Sequence, residues 1–273
     1  MREAEAIMLE VFSTPFMQKA FLAGILVSLL TGMISVFIVL RKMSFVGAGI
    51  SHAAFGGVAI GFFAGVNPLL TAIIYSIMVA IGIESTGRQG RISEDVSIGI
   101  FYSVSMALGV ALVSLSGSYN VDLFGYLFGN ILAISETDIL MTFITFVLVS
   151  GFMLIFLKDL FLSSYNEELA QVSGVHVVRL NKLFMVALAV TIVISIRIVG
   201  IILVSALLVI PGATARLFAK GLLSMLVLSC LAGIFSVISG LFLAYEYDIA
   251  PGASIVIASA FIFFLSLLLK KKR

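Results

Sequence analysis

The chain has 273 residues, of which 62% are hydrophobic and only 11% are charged, and its mean hydropathy is +1.25. An ordinary soluble domain carries about 25% charged residues, so this composition excludes a water-soluble fold. Apolar runs close to the ~20 residues that cross a bilayer recur along the chain. We therefore predict a single all-α domain over residues 1–273, a polytopic bundle of transmembrane helices surrounded by lipid.

Apolar runs bounded by charged or turn residues predict roughly nine membrane crossings, within a range of eight to ten. In chain order these predicted spans are 16–40, 45–64, 68–83, 96–115, 139–157, 183–196, 199–215, 222–244 and 251–269. Residues 183–215 are the hardest to divide, since Arg197 and Pro211 permit a hairpin of two helices or a partial re-entry. Residues 117–138 are apolar, Gly-rich and too short for a span, which favours a re-entrant or outer-surface helix.

The basic residues separate between the two sides of this predicted topology. One side receives 13 of the 16 Lys and Arg residues, namely Arg41, Lys42, Arg88, Arg91, Lys158, Arg179, Lys182, Arg216, Lys220, Lys270, Lys271, Lys272 and Arg273. Short cytoplasmic loops carry the excess of Lys and Arg. We therefore expect that side to be cytoplasmic, with the N-terminus outside and the C-terminus in the cytoplasm.

The second predicted span carries small residues at four-residue spacing. They are Gly49, Ala53, Gly57, Gly61 and Gly65. A row of this kind allows helix backbones to approach closely in lipid, so we predict a helix-packing face. His52 lies in the neighbouring row, beside this face.

His52 is an ionisable side chain inside a predicted span. Such groups are costly in lipid and by default suggest a substrate path, and neutral imidazole is a common zinc ligand. The residues alone leave two interpretations open: a metal ligand or path-lining group, and a buried histidine that is hydrogen-bonded to a neighbouring helix.

The longest polar interval inside the protein covers about residues 158–182. Asn166 can cap a helix whose first turn holds Glu167 and Glu168, where acidic groups favour the positive end of the helix dipole. Gly174 is placed to end that helix. We predict a short amphipathic helix at the cytoplasmic surface, with Leu169, Ala170 and Val172 available to a partner; an ordinary interfacial connector is the alternative.

Three stretches resemble the permeases of zinc- and manganese-type ABC importers, a family of metal ABC transporter membrane subunits. Residues 166–175 (NEELAQVSGV) are similar to the coupling loop of that family, and residues 199–216 (VGIILVSALLVIPGATAR) and 247–252 (YDIAPG) are similar to its other signatures. The similarity continues in the same order from about Phe16 onward. Ser51 and His52, in ISHA, match its Ser-His-Ala element.

The resemblance implies a permease with a fold like that of type II ABC importers, in the plasma (inner) membrane of a prokaryote. It implies that the 158–182 segment docks on a separate ATP-binding subunit through Glu167, Glu168, Leu169, Gly174 and Val175. It also implies that His52, with Ser51 as a possible helper, contacts the translocating metal. The expected partners are a second permease copy, an ATP-binding subunit and an extracytoplasmic metal-binding protein, with no nucleic acid and no bound cofactor.

One position departs from the family pattern and affects the metal prediction. Many members carry Asp four residues before the His, whereas this chain has Ala48. Asp122, Glu136 and Asp138 are possible outer-side helpers, although solvated loop carboxylates are the simpler interpretation. An imidazole without its acidic companion favours zinc, with manganese or iron as alternatives.

Two other function classes compete with a permease. An ion-coupled secondary transporter usually places acidic groups deep in its spans, and the predicted spans hold none. A membrane metalloprotease would need a motif such as HExxH, and the sequence has none. The sequence also lacks a GxxxxGK[ST] phosphate-binding loop, so we expect no enzymatic activity and ATP hydrolysis on another polypeptide.

Overall fold

The computed structural model describes residues 14–88, 92–116, 129 and 134–271, and within these ranges the chain is helical and forms no strand. The helices are α1 (Pro15–Arg41), α2 (Val46–Ala64), α3 (Pro68–Arg88), α4 (Glu94–Leu115), α5 (Glu136–Ile155), α6 (Leu157–Tyr165), α7 (Glu167–Val172), α8 (Val177–Leu207), α9 (Ile210–Phe218), α10 (Leu222–Tyr247) and α11 (Pro251–Lys271). The predicted all-α transmembrane bundle is confirmed. The predicted re-entrant segment at 117–138 lies largely outside the described residues.

Side-chain contacts identify the two ends of the bundle. At one end, Lys19 Nζ lies 3.4 Å from Glu136 Oε1. At the other end, Arg41 donates from Nε to Ser164 Oγ over 3.0 Å and from a terminal nitrogen to Ser163 Oγ over 3.2 Å. We call the second end the basic end, since it carries the basic cluster of the sequence. We call the first the outer end, after the orientation expected from the sequence. Helices α1 and α5 therefore run in the same direction, from the outer end to the basic end.

The stretch Val177–Phe218 is 42 residues long, which exceeds one crossing at ~1.5 Å per residue. It starts at the basic end, and Arg197 reaches the outer end, where its Nε lies 2.9 Å from Asp138 Oδ1. It then returns, because Arg216 donates to the Val39 carbonyl at the basic end of α1 over 3.2 Å.

The turn in this stretch occurs at Gly200, whose φ of 79° and ψ of 167° interrupt α8. Only glycine adopts such a backbone without strain. A Cβ added at Gly129 would lie 2.5 Å from the Val199 carbonyl carbon, so the break packs tightly against another glycine. Eight helical stretches in the described ranges are long and apolar enough to span a membrane. Because the longest runs from the basic end to the outer end and back, the described helices pass nine times between the two ends of the bundle.

The centre of the bundle is formed by α1, α2 and α8, which are largely buried, whereas α4, α5 and α11 expose many of their apolar side chains. Buried hydroxyls join α1 to its neighbours: Ser229 Oγ donates to the Gly32 carbonyl over 2.7 Å, and the Gly212 amide donates to Ser35 Oγ over 2.9 Å. In lipid, close packing and such hydrogen bonds hold helices together. The exposed helices are the expected lipid-facing surface.

Candidate functional site

The small-residue row of α2 lies between two neighbouring helices. A Cβ added at Gly57 would lie 2.6 Å from Ala72 Cα, and one at Gly61 would lie 2.6 Å from Pro68 Cα, both on α3. A Cβ at Gly49 would lie 2.7 Å from Ile98 Cγ2 on α4, and Ala53 is fully buried. These four small residues allow α2 to pack closely against α3 and α4.

Gly65 does not belong to this packing face, which corrects the sequence prediction for it. It caps the C-terminus of α2 with φ 67°, and a Cβ added there would meet no atom within 4 Å. The repeat in the sequence continued one step beyond the helix. Conversely, Gly56 was missed: its added Cβ would lie 2.8 Å from the Ser105 carbonyl oxygen on α4.

His52 lies on the less crowded side of α2. His52 and Ala48 are only half-buried, whereas the intervening residues 49–51 are buried. The imidazole packs edge-on against Tyr102 of α4, with ring centroids 4.6 Å apart and planes at 83°. Sequence reasoning missed Tyr102, since no local pattern links it to His52.

Two consecutive residues of α2 each carry a polar atom without a partner among the described residues. His52 Nδ1 and Ser51 Oγ are buried and have no hydrogen-bond partner among the described residues. Buried polar atoms are normally hydrogen-bonded, and an exception calls for an explanation. The alternative of a structural histidine bonded through Nδ1 to a neighbouring helix therefore has no support here. A ring nitrogen on a half-buried side chain, with no hydrogen-bond partner among the described residues, is a suitable place for a passing cation or its water.

The described residues contain no cluster of three His, Cys, Asp or Glu side chains that could hold a metal. The site that the described residues form around His52 is therefore sparse. Imidazole nitrogen is the one strong donor that α2 presents. Such a site is suited to transient contact with an ion and provides little of a tight, closed metal cage.

The outer-side carboxylates are engaged in ion pairs at the start of α5. Asp138 pairs with Arg197, and its side chain is only 11% exposed; Glu136 pairs with Lys19. Asp138 also completes a capping box with Ser135. The expectation of solvated loop carboxylates is thus wrong for Asp138, and Arg197 does not simply mark a helix end. Asp122 lies outside the described residues.

The predicted amphipathic helix is present as α7, and its ends form as the local sequence dictates. Asn166 Oδ1 accepts the Leu169 amide proton over 2.9 Å. At the other end, Gly174 has φ 86°, its amide donates to Gln171, and the Val175 amide donates to Ala170. This is the hydrogen-bonding pattern of a glycine-terminated helix.

The surface of α7 is mostly open. Glu168 and Leu169 are exposed, and Val172 is 87% exposed. Ala170, in contrast, is fully buried, so the prediction that it is available to a partner is wrong. Val175 packs against the core. The segment therefore has an exposed tip, formed by Glu168, Leu169 and Val172, and an inner side, formed by Ala170 and Val175, that faces the core.

A polar cluster under α7 was missed by sequence reasoning. Glu84, just beyond the predicted third span, is buried in the last turns of α3. Arg88 lies between Glu84 and Glu167, and Asn181 of α8 donates to Glu167. The four-residue spacing of Glu84 and Arg88 was the available signal.

The family model described as "ABC 3 transport family" matches residues 13–270. The manganese transport system membrane protein MntC of Listeria monocytogenes is 38% identical over 258 residues, covering 94% of this chain and 92% of that protein. The high-affinity zinc uptake system membrane protein ZnuB of Haemophilus influenzae is 38% identical, covering 93% and 97%.

A solved structure, PsaBC from Streptococcus pneumoniae in complex with Fab, is 36% identical with a TM-score of 0.85, covering 96% of this chain and 95% of that one. The similarity extends over nearly the full length of each relative. It therefore confirms the family predicted from the sequence, that of metal ABC transporter permeases. The chain belongs to the ABC 3 transport family.

Proposed function

We propose that this chain is the permease of an importer for a divalent transition-metal ion, with zinc as the preferred ion and manganese as the alternative. As a permease subunit of this family it is not an enzyme, and ATP is hydrolysed on a separate subunit. The observation that carries the proposal is His52, a half-buried histidine in a glycine-rich helix, whose Nδ1 has no hydrogen-bond partner among the described residues. An imidazole nitrogen without a hydrogen-bond partner inside a span fits a metal-translocation path better than a structural role.

The partners follow from the family and from the exposed tip of α7. The ATP-binding subunit docks at the basic end on Glu168, Leu169 and Val172, which places that end in the cytoplasm. An extracytoplasmic metal-binding protein delivers the ion at the outer end. Two permease copies form the complete path.

Sequence similarity does not separate the two ions, since the relatives named for manganese and for zinc are equally identical to this chain. The preference for zinc rests on ligand chemistry. Imidazole suits zinc, whereas manganese prefers carboxylate, carbonyl and water oxygens. Because α2 offers Ala48 where a carboxylate would stand, the hard ligand is missing from this helix.

Uptake into sealed vesicles tests the function and the ion together. Vesicles that contain the full chain and its ATP-binding subunit, supplied with the metal-binding protein outside, should accumulate zinc in an ATP-dependent manner. We expect zinc to be taken up about tenfold more efficiently than manganese, equivalent to ~1.4 kcal/mol. Faster uptake of manganese would overturn the zinc assignment and leave the permease function intact. Uptake by the chain alone, driven by a proton gradient, would favour a secondary transporter.

Reversing the charge of Glu168 tests the docking surface. Because Glu168 is exposed and makes no ion pair among the described residues, Glu168→Lys should leave the isolated chain folded. It should weaken binding of the ATP-binding subunit by at least about tenfold, measured by co-purification at several salt concentrations. Glu246→Lys is the matched control, since Glu246 is exposed in the last turn of α10 at the outer end. This variant should bind the ATP-binding subunit normally. Equal binding by both variants would place the docking surface elsewhere.

A further inference from the structure

Arg88 occupies a position that the proposed function does not use. Its side chain is 28% exposed and projects from the last turn of α3 at the basic end. One terminal nitrogen lies 3.7 Å from Glu84 Oε1 on its own helix, and the other lies 3.8 Å from Glu167 Oε2 on α7. The guanidinium thus bridges a transmembrane helix and the coupling helix.

Glu84 makes this bridge energetically significant. Its side chain is only 8% exposed, and neither carboxylate oxygen has a hydrogen-bond partner among the described residues. A buried carboxylate pays a desolvation penalty of several kcal/mol, which only a nearby cation offsets. Arg88, at 3.7 Å, supplies the larger attraction and Lys182 a smaller one, so a movement of Arg88 changes the free energy of the end of α3.

Glu167 is held from the other side as well. Asn181 Nδ2 of α8 donates to Glu167 Oε1 over 2.9 Å, while Asn181 Oδ1 has no hydrogen-bond partner in the described part of the chain. The Asn181 contact is a true hydrogen bond, whereas both contacts of Arg88 are longer than one. The longer contact in the cluster is therefore the Arg88–Glu167 ion pair between α3 and α7. A displacement of α7 can shorten or break it.

A movement of α3 would reach the helix that carries His52. Helix α3 is in backbone contact with α2 at Ala72 and Pro68, opposite Gly57 and Gly61. At these two positions the helices are packed too closely for α3 to move without displacing α2, because close-packed elements transmit displacement. The cluster at the basic end and His52 are thus joined by one rigid helix.

From this geometry we propose that Arg88 is the positioning residue through which α7 acts on α3, and through α3 on the metal path. The proposal rests on the proposed function, since it needs an ATP-binding subunit pressing on α7. Pressure on α7 shifts Glu167 relative to Arg88. Arg88 then moves toward or away from the buried Glu84 carboxylate, and α3 follows.

The test is a double-mutant cycle on transport in vesicles with the ATP-binding subunit present. Arg88→Gln and Glu167→Gln should each lower the amount of metal transported per ATP hydrolysed by at least about fivefold, the lower end of typical coupling between sites. The double variant should lose no more than either single one, since both remove the same link. Multiplicative losses would show that the two residues act independently and would overturn the proposal.

Two further variants keep the result interpretable. Arg88→Gln leaves the buried Glu84 carboxylate with only the weaker attraction of Lys182, so Arg88→Gln combined with Glu84→Gln removes the poorly compensated charge if the single variant fails to fold. Glu84→Gln alone keeps the Arg88–Glu167 pair but removes the buried carboxylate toward which Arg88 moves, so it should also lower the metal transported per ATP; transport equal to that of the wild type would contradict the step through Glu84. Lys220→Gln is the charge-loss control, since Lys220 is exposed and forms no ion pair in the described ranges.

Co-purification of the ATP-binding subunit distinguishes this inference from the proposed function. All Arg88 variants should still bind that subunit, because the exposed tip of α7 is unchanged. Retained binding with unchanged transport per ATP would refute the role of Arg88 alone. Absence of binding by the wild-type chain would refute the proposed function itself.

Discussion

Replacing His52 with Ala should abolish most metal uptake while leaving the chain folded and bound to its ATP-binding subunit. The imidazole is the one strong ligand that α2 offers to the proposed path, and its Nδ1 makes no hydrogen bond among the described residues that the substitution could break. We expect uptake at low metal concentration to fall about 10- to 100-fold, equivalent to ~1.4–2.8 kcal/mol of lost interaction. Uptake of radioactive zinc by vesicles, with ATPase activity recorded in parallel, measures the effect.

The second histidine of the chain is the natural control. His176 is exposed at the basic end, at the start of α8, so His176→Ala should transport normally. Tyr102→Phe keeps the ring that packs against His52 and should also be close to wild type. A His52→Ala chain that unfolds in detergent, or that transports as well as His176→Ala, would assign His52 a structural role and remove it from the path.

Local sequence features specified much of this fold. The apolar runs predicted the long helices of the described ranges, because lipid imposes its thickness on each span regardless of its neighbours. Asn166 and Gly174 specified both ends of α7 through hydrogen bonds that close within a few residues. Features of this kind depend on short segments, and so the sequence alone can reveal them.

Contacts between distant segments could not be predicted in the same way. Arg197 and Asp138 are 59 positions apart and meet because α8 reaches the end of the bundle at which α5 begins. The partner of Arg88 on α7 and the ring of Tyr102 beside His52 likewise depend on how whole helices pack. A four-residue repeat of small residues also cannot show where the helix ends, which is why Gly65 was assigned to a packing face that it does not join.

Gly57→Ala should destabilise the protein, although Ala normally stabilises a helix by ~1 kcal/mol relative to Gly. The added methyl group would lie 2.6 Å from Ala72 Cα, which is backbone and cannot turn aside as a side chain can. Overpacking of this kind costs about 1–3 kcal/mol, so the two effects have opposite sign and the clash dominates. Thermal unfolding of the detergent-solubilised chain should show a lower midpoint for Gly57→Ala, and uptake should fall as α3 is pushed from α2.

Gly151→Ala is the matched control, since Gly151 lies inside α5 and a Cβ there meets no atom within 4 Å. Its midpoint should be equal to or above that of the wild type, because only helix propensity changes. If Gly57→Ala were as stable as Gly151→Ala, α2 and α3 would not be in backbone contact. The glycines would then have no packing role, and a displacement of α3 at Arg88 would have no rigid connection to His52.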